Sequence, residues 1–237
     1  MCGRYTLATP GGRALAERFE VGDADSIEPA TLTRFNVCPT EQVAMVVAGE
    51  DGSRRALSAR WGLLPPWAHE LGKGFQPING RAETAAGKAP FAELMARPER
   101  HCLVLADGWY EWLKAEKKGS ERVPFRYTVD DGGPFAFAGL WARRRIKGEL
   151  LLSVCVLTCA ANRVCAPVHD RMPVVLGGPE EETAWLAGEA DGLLVPLADE
   201  RVTAAPANPR VNKAGVEGAD LLTVPEPEAP SQLRLST

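Results

Sequence analysis

The chain predicts the α+β class, as a single domain with a largely antiparallel β core flanked by short helices. Three observations carry that reading. Apolar and β-branched runs of strand length recur at 42–48, 54–63, 101–106, 123–129, 134–142 and 150–157, separated by breaks rich in Gly, Pro and Asp. Helical spacing occurs only in short pieces near 12–20, 90–95 and 179–186. No internal repeat and no linker divides the 237 residues, a length that one hydrophobic core can serve.

In chain order, Gly12 to Glu20 carries apolar residues at helical spacing, and Gly22-Asp23 ends the element. An acidic loop follows to Ala30, and Arg34 to Thr40 reads as a rigid, non-repetitive segment because of its proline and polar residues. Gln42–Ala48 and Arg54–Leu63, joined by the turn Glu50-Asp51-Gly52-Ser53, predict a hairpin. Pro65 and Pro66 stop its second strand and leave Trp67 on a stiff loop. Gln76 to Thr84 has no period and is dense in polar side chains, which reads as an ordered functional loop.

Pro90 starts a short helix running to Met95. His101–Ala106 and Trp109–Leu113 read as strands about a bend at Asp107-Gly108, and Lys114 to Arg122 as a charged loop. Val123–Val129 and Pro134–Ala142 flank Asp130-Asp131-Gly132-Gly133 and predict a second hairpin. The run at 150–157 reads as a strand buried on both faces. Ala160 to Arg163 is a loop or short helix, Val174–Leu176 a strand, and Pro179–Leu186 a helix with carboxylates in its first turn, where the dipole favours them. From Pro225 the chain is rich in Pro and Glu and predicts a disordered tail, so the domain is expected to span 1–224 and the tail 225–237.

A net charge of -4 argues against wholesale attraction to nucleic acid but leaves room for a local basic cleft. No apolar run has the length of a membrane span, and nothing at the start has the layout of a signal peptide, so a cytoplasmic protein with no membrane partner is expected. Six cysteines without an export signal read as reduced thiols. Cys155, Cys159, Cys165 and His169 invite a zinc reading, but the spacing lacks a tight C-x₂-C knuckle and two of the cysteines sit in or beside an apolar run. No metal is expected. Phosphate-binding loops, dinucleotide fingerprints and Gly-x-Ser-x-Gly are absent from the sequence, so cofactors are not called for.

Chemistry concentrates at Cys2. A small second residue is the condition under which the leading methionine is normally trimmed, and the freed Cys2 would carry an α-amine with pKa of about 7.7–8.0 beside a thiol of about 8.5. Such a 1,2-aminothiol condenses with an aldehyde to an imine, which the sulfur then closes to a thiazolidine. Set against this, terminal residues are commonly frayed and inert. Glu111 shares a strand face with Trp109, and a carboxyl beside an indole is desolvated and raised toward general-acid strength, or is simply a half-exposed strand residue. His169 can shuttle protons near neutrality, or serve as a hydrogen-bonded structural histidine. Arg4, Arg81 and Arg171 have the fork that clamps phosphates, although single arginines commonly form surface ion pairs. Trp67 and Trp109 can stack on bases, although large aromatics are commonly core residues.

Taken together, the segments Met1-Cys2-Gly3-Arg4, Arg34 to Thr40, Trp61 to Trp67, Asn79-Gly80-Arg81-Ala82-Glu83-Thr84, Cys102 to Trp112, Ala138 to Trp141, Thr158 to Asn162 and His169-Asp170-Arg171-Met172-Pro173 resemble the SOS-response-associated peptidase (SRAP) family, in family order across nearly the whole chain. The resemblance implies a barrel-like, twisted β core and a protein that shields abasic sites in single-stranded DNA, and a monomer is expected. It implies Cys2 as the covalent trap, Glu111 as the general acid that opens the sugar ring, His169 as proton shuttle and Asn79 as the orienting group. It implies DNA contacts at Arg4, Trp67, Arg81, Trp109 and Arg171, and weak lyase activity from the imine. Gly80, Cys38 and Leu105 depart from the family's usual residues without touching a catalytic position. Two rival readings remain: a thiol peptidase, acting first on Met1, with Cys2 as nucleophile and His169 as base, and a noncovalent binder of single strands or modified bases.

Overall fold

A computed structural model describes residues 2–8, 11–113 and 122–224. Its strands are β1 (Tyr5–Leu7), β2 (Arg34–Val37), β3 (Gln42–Ala48), β4 (Arg54–Trp61), β5 (Asn79–Arg81), β6 (His101–Ala106), β7 (Gly108–Leu113), β8 (Val123–Val129), β9 (Phe135–Ile146), β10 (Glu149–Ala160), β11 (Arg171–Pro173), β12 (Val175–Leu176) and β13 (Val202–Pro206). The helices are α1 (Gly12–Arg18), α2 (Ala82–Ala85), α3 (Phe91–Met95) and α4 (Pro179–Leu186).

Strands β4, β3, β6, β9 and β10 form a closed five-stranded barrel, in which β10 pairs antiparallel with β9 and parallel with β4. A second, five-stranded sheet of order β13-β8-β7-β1-β2 lies beside it. The two meet through aromatic rings: Tyr5 of β1 packs edge-on against Trp61 of β4 at 5.2 Å and against Phe137 of β9 at 5.8 Å. Such edge-to-face contacts add specificity to the apolar area they bury. The predicted α+β class, with one domain and a barrel-like antiparallel core, is what the chain adopts.

The predicted β3–β4 hairpin forms, paired from Gln42↔Arg60 to Ala48↔Arg54, with its second strand ending at Trp61 rather than Leu63. The second predicted hairpin does not form. β8 pairs with β7 and β13, whereas β9 pairs with β6, β10 and β12, so the turn at 130–133 passes from one sheet to the other. The turn itself is tight, with Asp130 and Gly132 at positive φ, and Arg201 grips the Asp130 carboxylate at 2.6 and 3.0 Å. β9 instead makes its hairpin with β10 through Lys147-Gly148, both at positive φ, as a two-residue turn between right-twisted strands requires. Three further segments differ from expectation: Arg34–Val37 is an edge strand on β1, the 76–84 stretch contains β5 and α2, and β13 was not anticipated. The predicted loop at 114–121 and the tail at 225–237 lie outside the described residues. Among the described residues, no helix is long and apolar enough to cross a membrane.

Helix α4 begins as its first-turn glutamates predict, yet Glu182 does more than face a dipole. It is fully buried between Arg18 at 2.7 Å and Arg54 at 3.4 Å, which ties α4 to α1 and β4. Removing one member of a buried ion pair leaves the others uncompensated. Glu182→Ala is therefore expected to cost about 3 kcal/mol in a urea unfolding titration, at the lower bound for such losses because Arg18 is partly solvated.

Candidate active site around Cys2

The pairing of β1 with β7 sets the site. Tyr5 pairs with Trp109 and Thr6 with Gly108, and the Tyr110 N–H donates to the Arg4 carbonyl at 2.9 Å, so the residues before β1 run alongside Glu111. Cys2 is fully buried rather than frayed. From the other side Asn79, on β5, donates its Nδ2 to the Cys2 carbonyl at 2.7 Å, while the Cys2 Sγ donates to the Arg4 carbonyl at 3.8 Å. β5 is held in turn by parallel pairing of Asn79 with Val156 of β10. A strand of the second sheet and a strand attached to the barrel thus meet at one residue.

The electrostatics follow from this burial. Glu111 is 5% exposed, and burial, reinforced by the negative charge of Asp170, lifts its carboxyl from an ordinary 4.5 to about 7. Near neutrality it exists in both forms. Burial, with the Glu111 charge second, pushes the Cys2 thiol far above its ordinary range, so the buried sulfur is a thiol and not the partly ionised nucleophile that reference values suggest.

His169 comes close through its segment, since Asp170 is near enough to act on Glu111. Its Nδ1 is 2.9 Å from the Arg171 N–H and 3.0 Å from an Asp170 carboxylate oxygen. A neutral ring cannot both accept and donate at one nitrogen. The backbone bond decides, because the Asp170 side chain is 86% exposed and exchanges with water. The assigned tautomer therefore carries its proton on Nε2.

The residues predicted to contact DNA separate into groups. Arg81 is exposed and Trp67 is 49% exposed, both open to a ligand. Arg4 is half-buried: its Nη1 donates to Asn36 Oδ1 at 2.7 Å and to the Val211 carbonyl at 2.8 Å, and its guanidinium lies over the Trp112 ring at 5.6 Å. Arg171 is 9% exposed and is occupied by Glu83, with both terminal nitrogens bonded to the carboxylate at 2.5 and 2.9 Å, and by the Thr158 carbonyl. It joins the His169–Pro173 segment to the Asn79–Thr84 segment, and in this conformation the expected phosphate contact gives way to that internal clamp. Trp109 is fully buried and stacked on Tyr127 at 5.2 Å, so the expected base contact is corrected to a core role.

Sequence reasoning missed three residues. Trp112 donates its Nε1 to Asn212 Oδ1 at 2.5 Å beneath Arg4, and Asn36 links Arg4 to the Lys213 and Val216 carbonyls at 3.1 and 2.9 Å. Alternation along β7, which sets Trp112 on the face opposite Glu111, was the available signal for the first. Two hollows flank the site. One, of about 320 Å³, is lined by Gly3, Arg4, Trp112, Arg122 and Asn212. The other, of about 530 Å³, includes Asn79, Arg81, Lys88, Phe75 and Phe91. Among the described residues no three or more His, Cys, Asp or Glu side chains gather as a metal site.

Because Asn79 fixes the Cys2 carbonyl through one short bond, Asn79→Ala is expected to slow any chemistry at Cys2 about tenfold, the equivalent of one hydrogen bond of about 1.4 kcal/mol. Single-turnover rates would show this with little change in melting temperature.

A closed five-stranded barrel with a buried second residue held between an asparagine and a near-neutral carboxyl defines a protein of the SRAP class, and the chain belongs to the SOS response associated peptidase (SRAP) family, whose model matches residues 1–214. It is 34% identical over 188 residues to the abasic site processing protein YoqW of Bacillus subtilis, covering 78% of this chain and 80% of that one. It is 30% identical over 193 residues to the abasic site processing protein YedK of Escherichia coli, covering 81% and 82%. A crystal structure of a protein from Bordetella bronchiseptica superposes with a TM-score of 0.70 at 27% identity, over 87% of this chain and all of that one.

Proposed function

We propose that this protein captures abasic sites in single-stranded DNA as a covalent thiazolidine on Cys2. The observation that carries the proposal is Cys2 held between the Asn79 amide, at 2.7 Å from its carbonyl, and a Glu111 carboxyl poised at about 7. The homology to abasic site processing proteins supports the substrate.

An abasic deoxyribose rests mainly as a closed hemiacetal. Protonated Glu111 donates to the ring oxygen as the C1′–O4′ bond breaks, the C1′ hydroxyl gives its proton to water, and the C1′ aldehyde is exposed. The Cys2 α-amine, free once Met1 has gone, adds to C1′, and the resulting carbinolamine loses water to give the imine. The Cys2 sulfur then adds to the imine carbon while its proton passes to nitrogen, with Glu111 or His169 as carrier. One aldehyde and one aminothiol become one thiazolidine and one water. Because the thiol is buried and neutral, that last proton transfer matters, and the same burial weighs against a thiolate peptidase. Escape of the imine through β-elimination would appear as weak strand cleavage.

The test combines purified protein, shown by mass spectrometry to lack Met1, with an abasic and an intact oligonucleotide. A denaturant-stable adduct with the abasic strand alone is expected. An adduct on protein that fully retains Met1 would overturn the proposal. Exposed Arg81 takes phosphate in this scheme, so Arg81→Ala should weaken single strands of every sequence alike and lower the slope of log affinity against log salt by about 0.7.

A further inference from the structure

The β9–β10 hairpin carries a basic cluster that the site does not use. Arg143, Arg145 and Lys147 are exposed, Arg144 and Trp141 half-buried, and Arg100 lays its guanidinium over the Trp141 ring at 4.7 Å. Arg97 is balanced by Glu93 and Glu99 at 3.3 and 2.8 Å. Among the described residues, Arg100, Arg143 and Arg144 have no such carboxylate, and Arg144 Nε and Trp141 Nε1 are buried without a hydrogen-bond partner. Crowding is felt within the cluster: burial, then the charges of Arg97 and Arg143, depress the Arg100 pKa. On a chain of net charge -4 this concentration of cations is not a general property of the surface.

Register relates the cluster to the site. Asn79 pairs with Val156, which pairs with Gly139, and strand alternation then puts Trp141, Arg143 and Arg145 on the face that carries Asn79. Arg143 pairs with Leu152 and Arg145 with Leu150, four and six residues along β10 from Val156, hence roughly 13 and 20 Å away at 3.3 Å per residue. We propose that Arg100, Arg143 and Arg145, with Trp141 beneath Arg100, form a second phosphate-binding surface for the DNA strand beyond the part held at Cys2. Guanidinium forks with no carboxylate partner, as at Arg100 and Arg143 among the described residues, match phosphodiester oxygens and lose their mutual repulsion on binding an anion, while Arg145, one nitrogen of which donates to the Gly148 carbonyl at 2.6 Å, is held at the hairpin end beside them. The inference rests on the proposed action on DNA, which supplies the polyanion.

The test uses Arg143→Gln/Arg145→Gln protein, whose changes lie at exposed positions, and an intact single strand of about 30 nucleotides, longer than typical single-strand footprints. Binding by anisotropy across a potassium chloride series should lose about tenfold in affinity at low salt, with a salt slope shallower by about 1.4, at 0.7 per lost phosphate contact. Adduct yield on an abasic trinucleotide with the abasic residue central, whose single flanking nucleotide extends only about 3.4 Å when stacked and falls well short of the hairpin arginines, should match wild type. Unchanged affinity and slope on the long strand overturn the inference and leave an acidic protein segment as the occupant to seek. If wild type makes no adduct on the short strand, the capture chemistry fails while the long intact strand still reads the basic surface.

Discussion

Met1-free protein carrying Cys2→Ser is expected to lose its denaturant-stable adduct by at least about a hundredfold, while borohydride restores a trapped complex and strand cleavage rises. The change keeps the α-amine and removes only the sulfur, so the imine still forms beside Glu111 and Asn79. A hydroxyl is a far weaker nucleophile than sulfur at neutral pH, and ring closure fails even though the effective concentration of a neighbouring group is very high, of order 10⁵ M or more for well-oriented reactants. The imine then persists, to be reduced by borohydride or to lose the 3′-phosphate by β-elimination. Cys2→Ala should behave alike. Asn79 bonds the Cys2 backbone carbonyl, not its side chain, so neither variant disturbs that contact. A stable adduct from Cys2→Ser without reductant would sink the thiazolidine.

The sequence carried the strands whose partners are close in the chain. β3 and β4 are joined by the turn Glu50-Asp51-Gly52-Ser53, and the hairpin read from it is the one that forms. The error at 130–133 has the same origin, because a turn signal reports that the chain reverses and not which sheet receives it. Arg143, Arg144 and Arg145 interrupted the apolar pattern of β9 and hid its true length of 12 residues, and with it the hairpin at Lys147-Gly148. Trp109 shows a different limit. β7 is buried on both faces at Trp109 and Tyr110, the first stacked on Tyr127 and the second in a small core with Val211 and Leu221, so alternation predicted faces correctly and exposure wrongly. The union of Cys2, Asn79 and Glu111 depends on β1–β7 and β5–β10 pairing, which no local pattern encodes. Only the family resemblance brought them together before the fold did.

Replacing Glu111 should separate function from stability by moving them in opposite directions. Capture needs Glu111 protonated and the Cys2 amine neutral. With Glu111 at about 7 and an ordinary α-amine at about 7.7–8.0, the rate should rise with pH through the amine, fall as Glu111 ionises, and peak between them. Glu111→Gln should lower the single-turnover rate 10²–10⁴-fold and abolish the alkaline fall, leaving a simple rise to a plateau. For stability the sign runs the other way. An acid whose folded pKa is raised holds a proton that the unfolded chain has already lost, so its burial penalty is absent below the ordinary value of 4.5, grows up to about 7, and stays constant above it. The variant should therefore match wild type near pH 4 and exceed it at pH 8 by up to about 3 kcal/mol, from 1.36 kcal/mol per unit of displacement. Denaturant titrations at the two pH values measure this without any DNA present. A variant that keeps the alkaline fall in rate removes Glu111 from the acid's role, and one no more stable at pH 8 shows that the carboxyl was never held near neutrality.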